Sequence, residues 1–221
     1  MQFTLASAHQ DFFSQHHYIE FDNFFSLEDI THLKQAIDES LLHREQKIIE
    51  TRSPKELFKV GRDLWRDNPA IKKFVFHKRL AKIASPLFQQ SILRIAYDQA
   101  LCSFSTGEPV FSEPLSLQKI SCFQSIVGGV IIRLTDDPSP PLPLPQKVGN
   151  VLFIGPTFPI PWSSFFQQTS QSFLLIAYCA DKTVYVLEKM DPHVHALKKL
   201  GLGFGDRLEE KTHPIVFNRK A

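Results

Sequence analysis

The residues His9-Gln10-Asp11 place an imidazole and a carboxylate two residues apart, near the start of the 221-residue chain. Many non-haem iron sites begin with this spacing, because the iron needs two histidines and one carboxylate on one of its faces. Here the pair precedes a long helical section, far from any predicted strand that could complete the ligand set. We therefore interpret it as the polar start of the first helix, where Asp11 would favour the helix N-terminus.

A second candidate is Asp191-Pro192-His193-Val194-His195. On a strand, His193 and His195 would face the same side, as a metal requires, whereas on a helix they diverge. Proline followed by "HVHALKKLG" is typical of a helix with proline in its first turn and Gly201 as its C-cap, which would leave both histidines exposed. We predict no metal here. The alternative is a metalloenzyme of the hydroxylase type, with a rearranged site made of His193, His195 and an acid such as Asp191 or Asp206.

The other reactive residue types form no catalytic pattern. Cys102, Cys122 and Cys179 are widely spaced and odd in number, which argues against both a disulfide framework and a zinc knuckle. No base lies near them in the sequence, so we expect them to pack in the core. Unpaired thiols favour a reducing intracellular setting, which we take to be the cytoplasm. The glycine-rich "GLGFGD", residues 201–206, follows a helix and predicts a loop rather than a dinucleotide site.

Charge argues against a nucleic-acid partner. The chain has 25 basic and 23 acidic residues, a formal net charge of +2, whereas nucleic-acid binding usually needs a strongly basic face. The stretch "KKFVFHKRLAK", residues 72–82, is basic with aromatic residues between. At helical spacing Phe74, Leu80 and Ile83 would be core and the lysines would face solvent, so a nucleic-acid-binding regulator is kept only as a further alternative.

The stretch from Val148 to Ala180 carries no charge and is long enough to cross a bilayer. Its prolines at 156, 159 and 161 and its polar run "SSFFQQTSQS" are poorly compatible with a helix in lipid. We predict two buried strands around an uncharged loop, and no membrane partner. The start of the chain shows no signal-peptide pattern.

Periodicity divides the chain into a helical part and a strand part. "HYIEFDNF" alternates like a short strand, and Ser26-Leu27-Glu28-Asp29 then predicts the capped start of an amphipathic helix over residues 26–43. Pro54 and Pro69 suit the first turns of further helices, and Pro86 should end the last one.

From residue 91 the segments become short, β-branched and aromatic. They are "SILRIAYDQALCSF", "LSLQKISCFQSIVGGVIIRL", "KVGNVLFIG", "QSFLLIAYCA" and "KTVYVLE". Gly128-Gly129 predicts a tight turn or a bulge. The proline-rich "DDPSPPLPLPQ" predicts an extended exposed loop, and "RLEEKTHPIVFNRKA" a solvated end. Helices followed by strands favour an α+β fold.

Several of these segments together resemble one family. "FFSQHHYIEFDNFFSLEDITHLKQAID" resembles the opening of phytanoyl-CoA dioxygenase-like proteins. "FKVGRDLWRDNPAIKKFVFHKRLAKIASPLFQQSILRIAYDQAL" is similar to that family's next part, and "VGNVLFIGPTFPIPW" to the strand that carries its second histidine. The family belongs to the Fe(II)/2-oxoglutarate oxygenases. The resemblance therefore implies a double-stranded β-helix, a jelly-roll sandwich, with helices on one face. We expect a single domain over 1–221, with helices in 1–90, the sandwich in 91–190, and a C-terminal helix and tail in 191–221.

The resemblance also implies an iron triad and an arginine for 2-oxoglutarate, and this sequence departs from the pattern at each position. Leu117, Gln118 and Lys119 stand where the His-x-Asp pair is expected, within a histidine-free window from residue 78 to residue 192. The second histidine is replaced within Phe158-Pro159-Ile160-Pro161-Trp162, and the arginine by Gln171 or Ser172.

These departures predict an oxygenase-like protein that binds neither iron nor 2-oxoglutarate and has no catalytic residues and no cofactor. It would instead bind an unknown small molecule or protein. The residues nearest the inferred mouth of the sandwich that could contact such a ligand are Gln118, Lys119, Arg133 and Trp162.

Overall fold

The computed structural model describes residues 5–45, 49, 52–104, 108–136, 143–166 and 171–219. Its central element is a six-stranded antiparallel sheet with the strand order β1-β4-β3-β5-β2-β6. The strands are β1 Tyr18–Phe21, β2 Ile92–Cys102, β3 Ile126–Arg133, β4 Val151–Ile154, β5 Ser172–Ala180 and β6 Ile215–Asn218. This sheet, with helices against one face and a second wall over the other, confirms the predicted α+β double-stranded β-helix.

The helices lie almost entirely before the long strands, as predicted. They are α1 Ser7–His16, α2 Leu27–Glu45, α3 Pro54–Val60, α4 Pro69–Val75 and α5 Lys78–Leu87, with short 3-10 helices at Leu64–Arg66, Trp162–Phe166 and Ala196–Leu200. Capping residues start three of them, because their side chains accept hydrogen bonds from free backbone N–H groups. Ser26 accepts from Asp29 N, Ser53 from Glu56 N, and Asn68 from Ala70 N.

The two faces of the sheet are covered by two separate apolar clusters. One cluster joins the helices to the outer face and includes Leu33, Leu80, Val130, Phe153 and Ile176. The other fills the space between the inner face and the second wall, and we call it the interior core. Both faces of the central strands are therefore apolar, which explains why β4 and β5 read as nearly continuous hydrophobic runs.

The second wall of the sandwich is built from isolated bridges rather than full strands. These bridges are Leu115↔Ile160, Phe123↔Tyr185 and Val184↔Arg207. The sequence predicted strands within "LSLQKISCFQ" and "KTVYVLE". In the first of these, Lys119 N donates to Ser116 O and Ile120 N to Leu117 O. These turn hydrogen bonds use the backbone groups that a longer ladder would need.

The predicted irregularity at Gly128-Gly129 is a β-bulge. The register of β3 against β5 shifts between Ile126 and Gly128. A Cβ at Gly128 would lie 2.6 Å from Ile154 O and equally close to the Phe88 ring. The bulge therefore needs a residue without a side chain.

The C-terminal segment differs from the predicted solvated end. β6 pairs with β2, Leu208 and His213 are buried, and Arg94 of β2 donates to His213 O. The sequence did not predict this short strand, which covers the edge of the sheet. Its apolar run is only three residues long and lies among charged residues of both signs.

Three further predictions concern Pro86, the proline-rich loop and a membrane-spanning helix. Pro86 lies inside the last turn of α5, which ends one residue later at Leu87. Within the proline-rich loop, residues 137–142 lie outside the described residues, and the described end of the loop is not exposed as predicted, because Leu144 and Pro145 are buried. Among the residues that the structure does describe, no helix is long and apolar enough to cross a membrane.

Candidate functional site

The interior core occupies the space between the two walls of the sandwich, where the resemblance would place a metal. Its central side chains have no more than 1% of their surface exposed: Leu117, Ile160, Trp162, Phe165 and Phe173. The Trp162 ring lies 5.3 Å from that of Phe111 and 5.9 Å from that of Phe165. Trp162 Nε1 donates to Leu115 O at 2.8 Å. The centre of the sandwich is therefore packed with hydrocarbon and aromatic rings.

The residues present do not fit an iron ion. Leu117 and Ile160, which stand in the stretches where ligands are expected, are fully buried and have no donor atom in their side chains. Gln171, near the expected arginine, is neutral and almost fully buried. Across the described part of the chain, no group of three or more His, Cys, Asp or Glu residues is arranged to hold a metal.

The four residues proposed from the sequence to contact a ligand fall into two pairs. Gln118 and Lys119 are exposed and line a surface groove of about 650 Å³. Arg133 and Trp162 are buried. Arg133 donates to the backbone oxygens of Thr135 and Gln146, so it holds the turn that follows β3. The structure does not bring the two pairs into one site.

The first metal candidate in the sequence is part of a helix. α1 begins at Ser7, and His9 Nδ1 accepts a hydrogen bond from Ala6 N at 3.2 Å. Asp11 is exposed and lies beyond the first turn, which corrects its expected position at the helix N-terminus. His9 thus contributes to the helix start in place of Asp11.

The second metal candidate is divided by the fold. His193 packs on Phe58 with ring centroids 5.6 Å apart, whereas His195 is exposed and lies near Phe204. The expectation that both histidines are exposed on a helix is wrong for His193, because the segment turns inward before a 3-10 helix begins at Ala196. Gly201 ends that helix in the left-handed conformation, as predicted.

The two acids considered with those histidines, Asp191 and Asp206, already have other hydrogen-bond partners. Both oxygens of Asp191 contact Arg62 Nη1, at 3.0 and 3.1 Å, and Asp206 Oδ2 accepts from Gly203 N at 2.7 Å. The alternative metal site is therefore not assembled in the described residues.

Sequence reasoning missed a buried polar group at the edge of the interior core, which we call the Arg62 cluster: Arg62, Gln99 and Asp191. The Arg62 guanidinium lies 3.9 Å from the centre of the Tyr97 ring and donates to Gln99 Oε1. Asp191 also accepts from the backbone N–H groups of Cys122 and His193. The ion pair joins positions 129 residues apart, so the sequence around either residue does not predict the pairing.

Electrostatics in the Arg62 cluster favour a charged carboxylate. Burial alone would raise the pKa of Asp191, but the Arg62 guanidinium and the two backbone N–H donors outweigh burial and hold it below its usual value. The same burial, with Arg62 close by, lowers the pKa of His193 to about 3. His193 is therefore a neutral imidazole at neutral pH.

A second buried carboxyl behaves in the opposite way. Asp98 on β2 accepts hydrogen bonds from Leu64 N and Trp65 N, and so holds the start of the 3-10 helix at Leu64–Arg66. Burial, followed by repulsion from Asp63, raises the pKa of Asp98 to about 7. This carboxyl titrates in the neutral range.

The cysteines are core residues, as predicted. Cys102, Cys122 and Cys179 are free thiols and all are buried. Burial raises the pKa of Cys102 and of Cys179 to about 12. Since the thiolate is the nucleophile, these thiols are unreactive at neutral pH.

Comparisons with known proteins identify the fold and no closer relationship. No family model matches the sequence, and no curated protein matches it. Among solved structures, the carbocyclase SnoK from nogalamycin biosynthesis superposes with a TM-score of 0.69 at 16% identity, over 96% of each chain. The epimerase SnoN from the same biosynthesis has a TM-score of 0.69 at 13% identity, over 94% of this chain and 96% of its own.

A third similar structure is CT296 from Chlamydia trachomatis, with a TM-score of 0.52 at 16% identity over 81% of this chain and 99% of that one. SnoK and SnoN are described as non-haem α-ketoglutarate-dependent enzymes. At these identities the likeness concerns the fold alone. The chain thus has the double-stranded β-helix fold found in non-haem α-ketoglutarate-dependent oxygenases, with an interior that does not fit their metal.

Proposed function

We propose that this protein is a non-catalytic, phytanoyl-CoA dioxygenase-like member of the oxygenase superfamily. In this proposal it binds neither iron nor 2-oxoglutarate and acts as a ligand- or partner-binding protein in the cytoplasm. The observation that carries the proposal is the interior core, whose side chains are buried hydrocarbon and aromatic rings where iron would need imidazole and carboxylate. The three buried free thiols support a reducing compartment.

Energetics support the loss of the metal site. Making room for an ion and its ligands would require displacing side chains such as Ile160 and Trp162, which are fully buried. An iron ion placed among apolar side chains would lose its water ligands and gain none from the protein, which is strongly unfavourable.

The groove beside Gln118 and Lys119 is the proposed contact surface. Lys119 is exposed, and Glu113 and Glu188 line the same groove together with Met190. Both charge signs and an apolar side chain are therefore available to a polar partner. Trp162 supports this surface indirectly, since its indole N–H donates to the backbone oxygen of Leu115, which lines the groove. Arg133 is not among the groove's lining residues.

The test is to measure iron and 2-oxoglutarate binding directly. The protein would be produced with iron supplied and its metal content measured by elemental analysis, and 2-oxoglutarate would be titrated by calorimetry with Fe(II) present and oxygen excluded. SnoN, which has been crystallised with Fe3+ and α-ketoglutarate, is the positive control. We expect SnoN to bind both, and this protein to bind neither.

Iron at about one equivalent per chain, with saturable 2-oxoglutarate binding, would overturn the proposal. If the iron were lost in a His193→Ala/His195→Ala variant, the metalloenzyme alternative would replace it. Iron that survived this double substitution would point to ligands elsewhere in the chain and would equally contradict a metal-free protein.

A further inference from the structure

A cationic pocket lies outside the interior core, between the end of α3, the 3-10 helix at Leu64–Arg66 and the 3-10 helix at Ala196–Leu200. Its volume is about 360 Å³, within the range of small-molecule sites. We call it the cationic pocket. Its charged lining residues are five bases and one acid: Arg44, Lys59, Arg62, Arg66, Lys199 and Asp63.

The arginines of this pocket are fixed in place by the protein. Arg44 donates to the backbone oxygens of Val60, Arg62 and Asp63 and pairs with Asp67. Arg62 is paired with Asp191. The arginines therefore shape the pocket and contribute positive potential, but most of their charge is already balanced.

The two lysines are different. Lys59 and Lys199 are exposed, and neither forms a salt bridge with any residue that the structure describes. They come from separate elements, the last turn of α3 and the 3-10 helix at Ala196–Leu200. Two unbalanced cations therefore line one concave surface from two sides.

His193 also lines the cationic pocket. Its Nε2 atom is buried and has no hydrogen-bond partner among the described residues. The Phe58 backbone favours a proton on the imidazole, and because Nε2 is the nitrogen without a partner, we assign that proton to Nδ1. In the neutral ring Nδ1–H then donates to the Phe58 carbonyl and Nε2 presents a lone pair. A buried acceptor without a donor is costly. A ligand that carries a hydroxyl group would supply the missing hydrogen bond to this nitrogen.

We propose that the cationic pocket binds a phosphate-type oxyanion, either inorganic phosphate or the phosphate group of a small monoester. The tetrahedral anion offers separate oxygens to Lys59 and Lys199, while its protonated oxygen donates to His193 Nε2. A carboxylate is planar, and an ionised carboxylate has no proton to donate to this nitrogen. This proposal extends the binding role proposed above to a defined site, and it does not depend on the loss of iron.

The acid in the pocket does not cancel this potential. Asp63 lies 3.3 Å from Arg66 Nε, so its charge is offset locally. Burial raises the pKa of Asp63, which further reduces repulsion of an anion. The nearby carboxylates of Asp67 and Asp191 face Arg44 and Arg62, which leaves the lysines as the unbalanced charges.

The experiment titrates the full-length protein with inorganic phosphate, followed by calorimetry and by the imidazole NMR signals of His193. We expect saturable binding at one site, and a shift of the His193 Nε2 signal that saturates with it. His32, exposed on α2, should not shift. Glycerol phosphate tests the monoester and succinate the carboxylate. We expect glycerol phosphate to bind more weakly than phosphate at about pH 7.5, where it is mostly a proton-free dianion, and to gain affinity as the pH falls to its second pKa of about 6. At the higher pH succinate should bind about tenfold more weakly than phosphate or not at all.

A charge-reversal pair tests the residues. In Lys59→Glu/Lys199→Glu we expect phosphate affinity to fall at least about tenfold, since two exposed cations become anions without loss of packing. Lys82→Glu/Lys182→Glu changes the net charge equally at two other exposed lysines and should retain the affinity. Thermal denaturation of both variants confirms that each is folded.

Several results would overturn the proposal. These are no saturable phosphate binding, equal weakening in both charge-reversal variants, binding that leaves the His193 signal unchanged, or tighter binding of succinate than of phosphate. None of them bears on iron content, so failure here is distinguishable from failure of the non-catalytic proposal.

Discussion

The interior core and the Arg62 cluster lie side by side in the same sandwich and are built in opposite ways. The interior core is held by contact alone: Trp162 makes one hydrogen bond and otherwise touches rings and hydrocarbon. The Arg62 cluster is held by an ion pair and by directional hydrogen bonds. It contains a buried arginine and a buried carboxylate that also accepts from two backbone N–H groups. Both regions are almost entirely excluded from water.

The difference separates the shape of the fold from its chemistry. A jelly roll needs only that the space between its walls be filled, and hydrocarbon fills it without any polar requirement. A buried ion pair requires each partner to be satisfied, and it fixes the chain segments that carry the partners. The polar groups of this molecule therefore organise its edge, next to the cationic pocket, and not its centre.

Removing the indole at the centre should have the largest effect. We expect Trp162→Ala to lower the free energy of unfolding by about 5 kcal/mol, because it leaves a large cavity and deprives Leu115 O of its donor. Trp162→Phe, which keeps most of the volume, should cost about 2 kcal/mol. Urea denaturation followed by circular dichroism measures both values.

If the two variants were equally stable, packing would not be what holds the interior core, and the contrast with the Arg62 cluster would fail. A small effect of Trp162→Ala would also indicate that the centre of the sandwich is less densely filled than the contacts show.

Breaking the buried ion pair should have the next largest effect. We expect Asp191→Ala to cost about 4 kcal/mol, because it leaves the Arg62 guanidinium buried without its counter-charge and frees two backbone N–H groups. The matched control is Asp181→Ala. Asp181 pairs with Arg94 at 2.6 Å but is 38% exposed, so its loss should cost less than about 1 kcal/mol. Equal losses would show that burial does not distinguish the two pairs.

The smallest effect concerns Asp98 and the pH. Its pKa of about 7 in the folded protein lies above the value of about 4 in an unfolded chain. The folded state therefore binds the proton more tightly between these values, and the free energy of unfolding should fall as the pH rises from about 4 to about 7. Between about pH 5 and about pH 7.5 we expect a loss of about 2 kcal/mol.

In Asp98→Asn this part of the pH dependence should disappear, because the side chain no longer titrates. The variant itself should be less stable than the wild type at the lower pH, since the amide group opposes either Leu64 N or Trp65 N. An unchanged slope in denaturation curves at the two pH values would assign the titration to another group.

Local signals in the sequence were sufficient for most of the helical part. Ser26 followed by two acids marked the start of α2, and Pro54 and Pro69 marked the first turns of α3 and α4. A cap acts within one turn, so its residues are neighbours in the sequence. The alternation of β1 and the β-branched and aromatic character of β2 to β5 were readable for the same reason, whereas β6 was too short and too polar at its ends.

The candidate sites were less predictable, because they combine distant residues. Gln118 and Lys119 reach the surface as the sequence allowed, but nothing near Arg133 or Trp162 shows that one secures a turn and the other fills the interior core. His193 was expected on an exposed face and lies against Phe58, which is 135 positions earlier in the chain.

The sequence alone determined the order of helices and strands, the apolar character of the sandwich, and the lack of histidine in the window where an iron triad would need it. Only the tertiary structure decided that hydrocarbon closes the centre, that Arg62 pairs with Asp191, and that Lys59, Lys199 and His193 line one pocket. The physical reason is the distance along the chain over which each kind of interaction acts. Propensity, capping and periodicity act over a few residues, whereas packing and buried charge pairs depend on segments that meet only when the chain has folded.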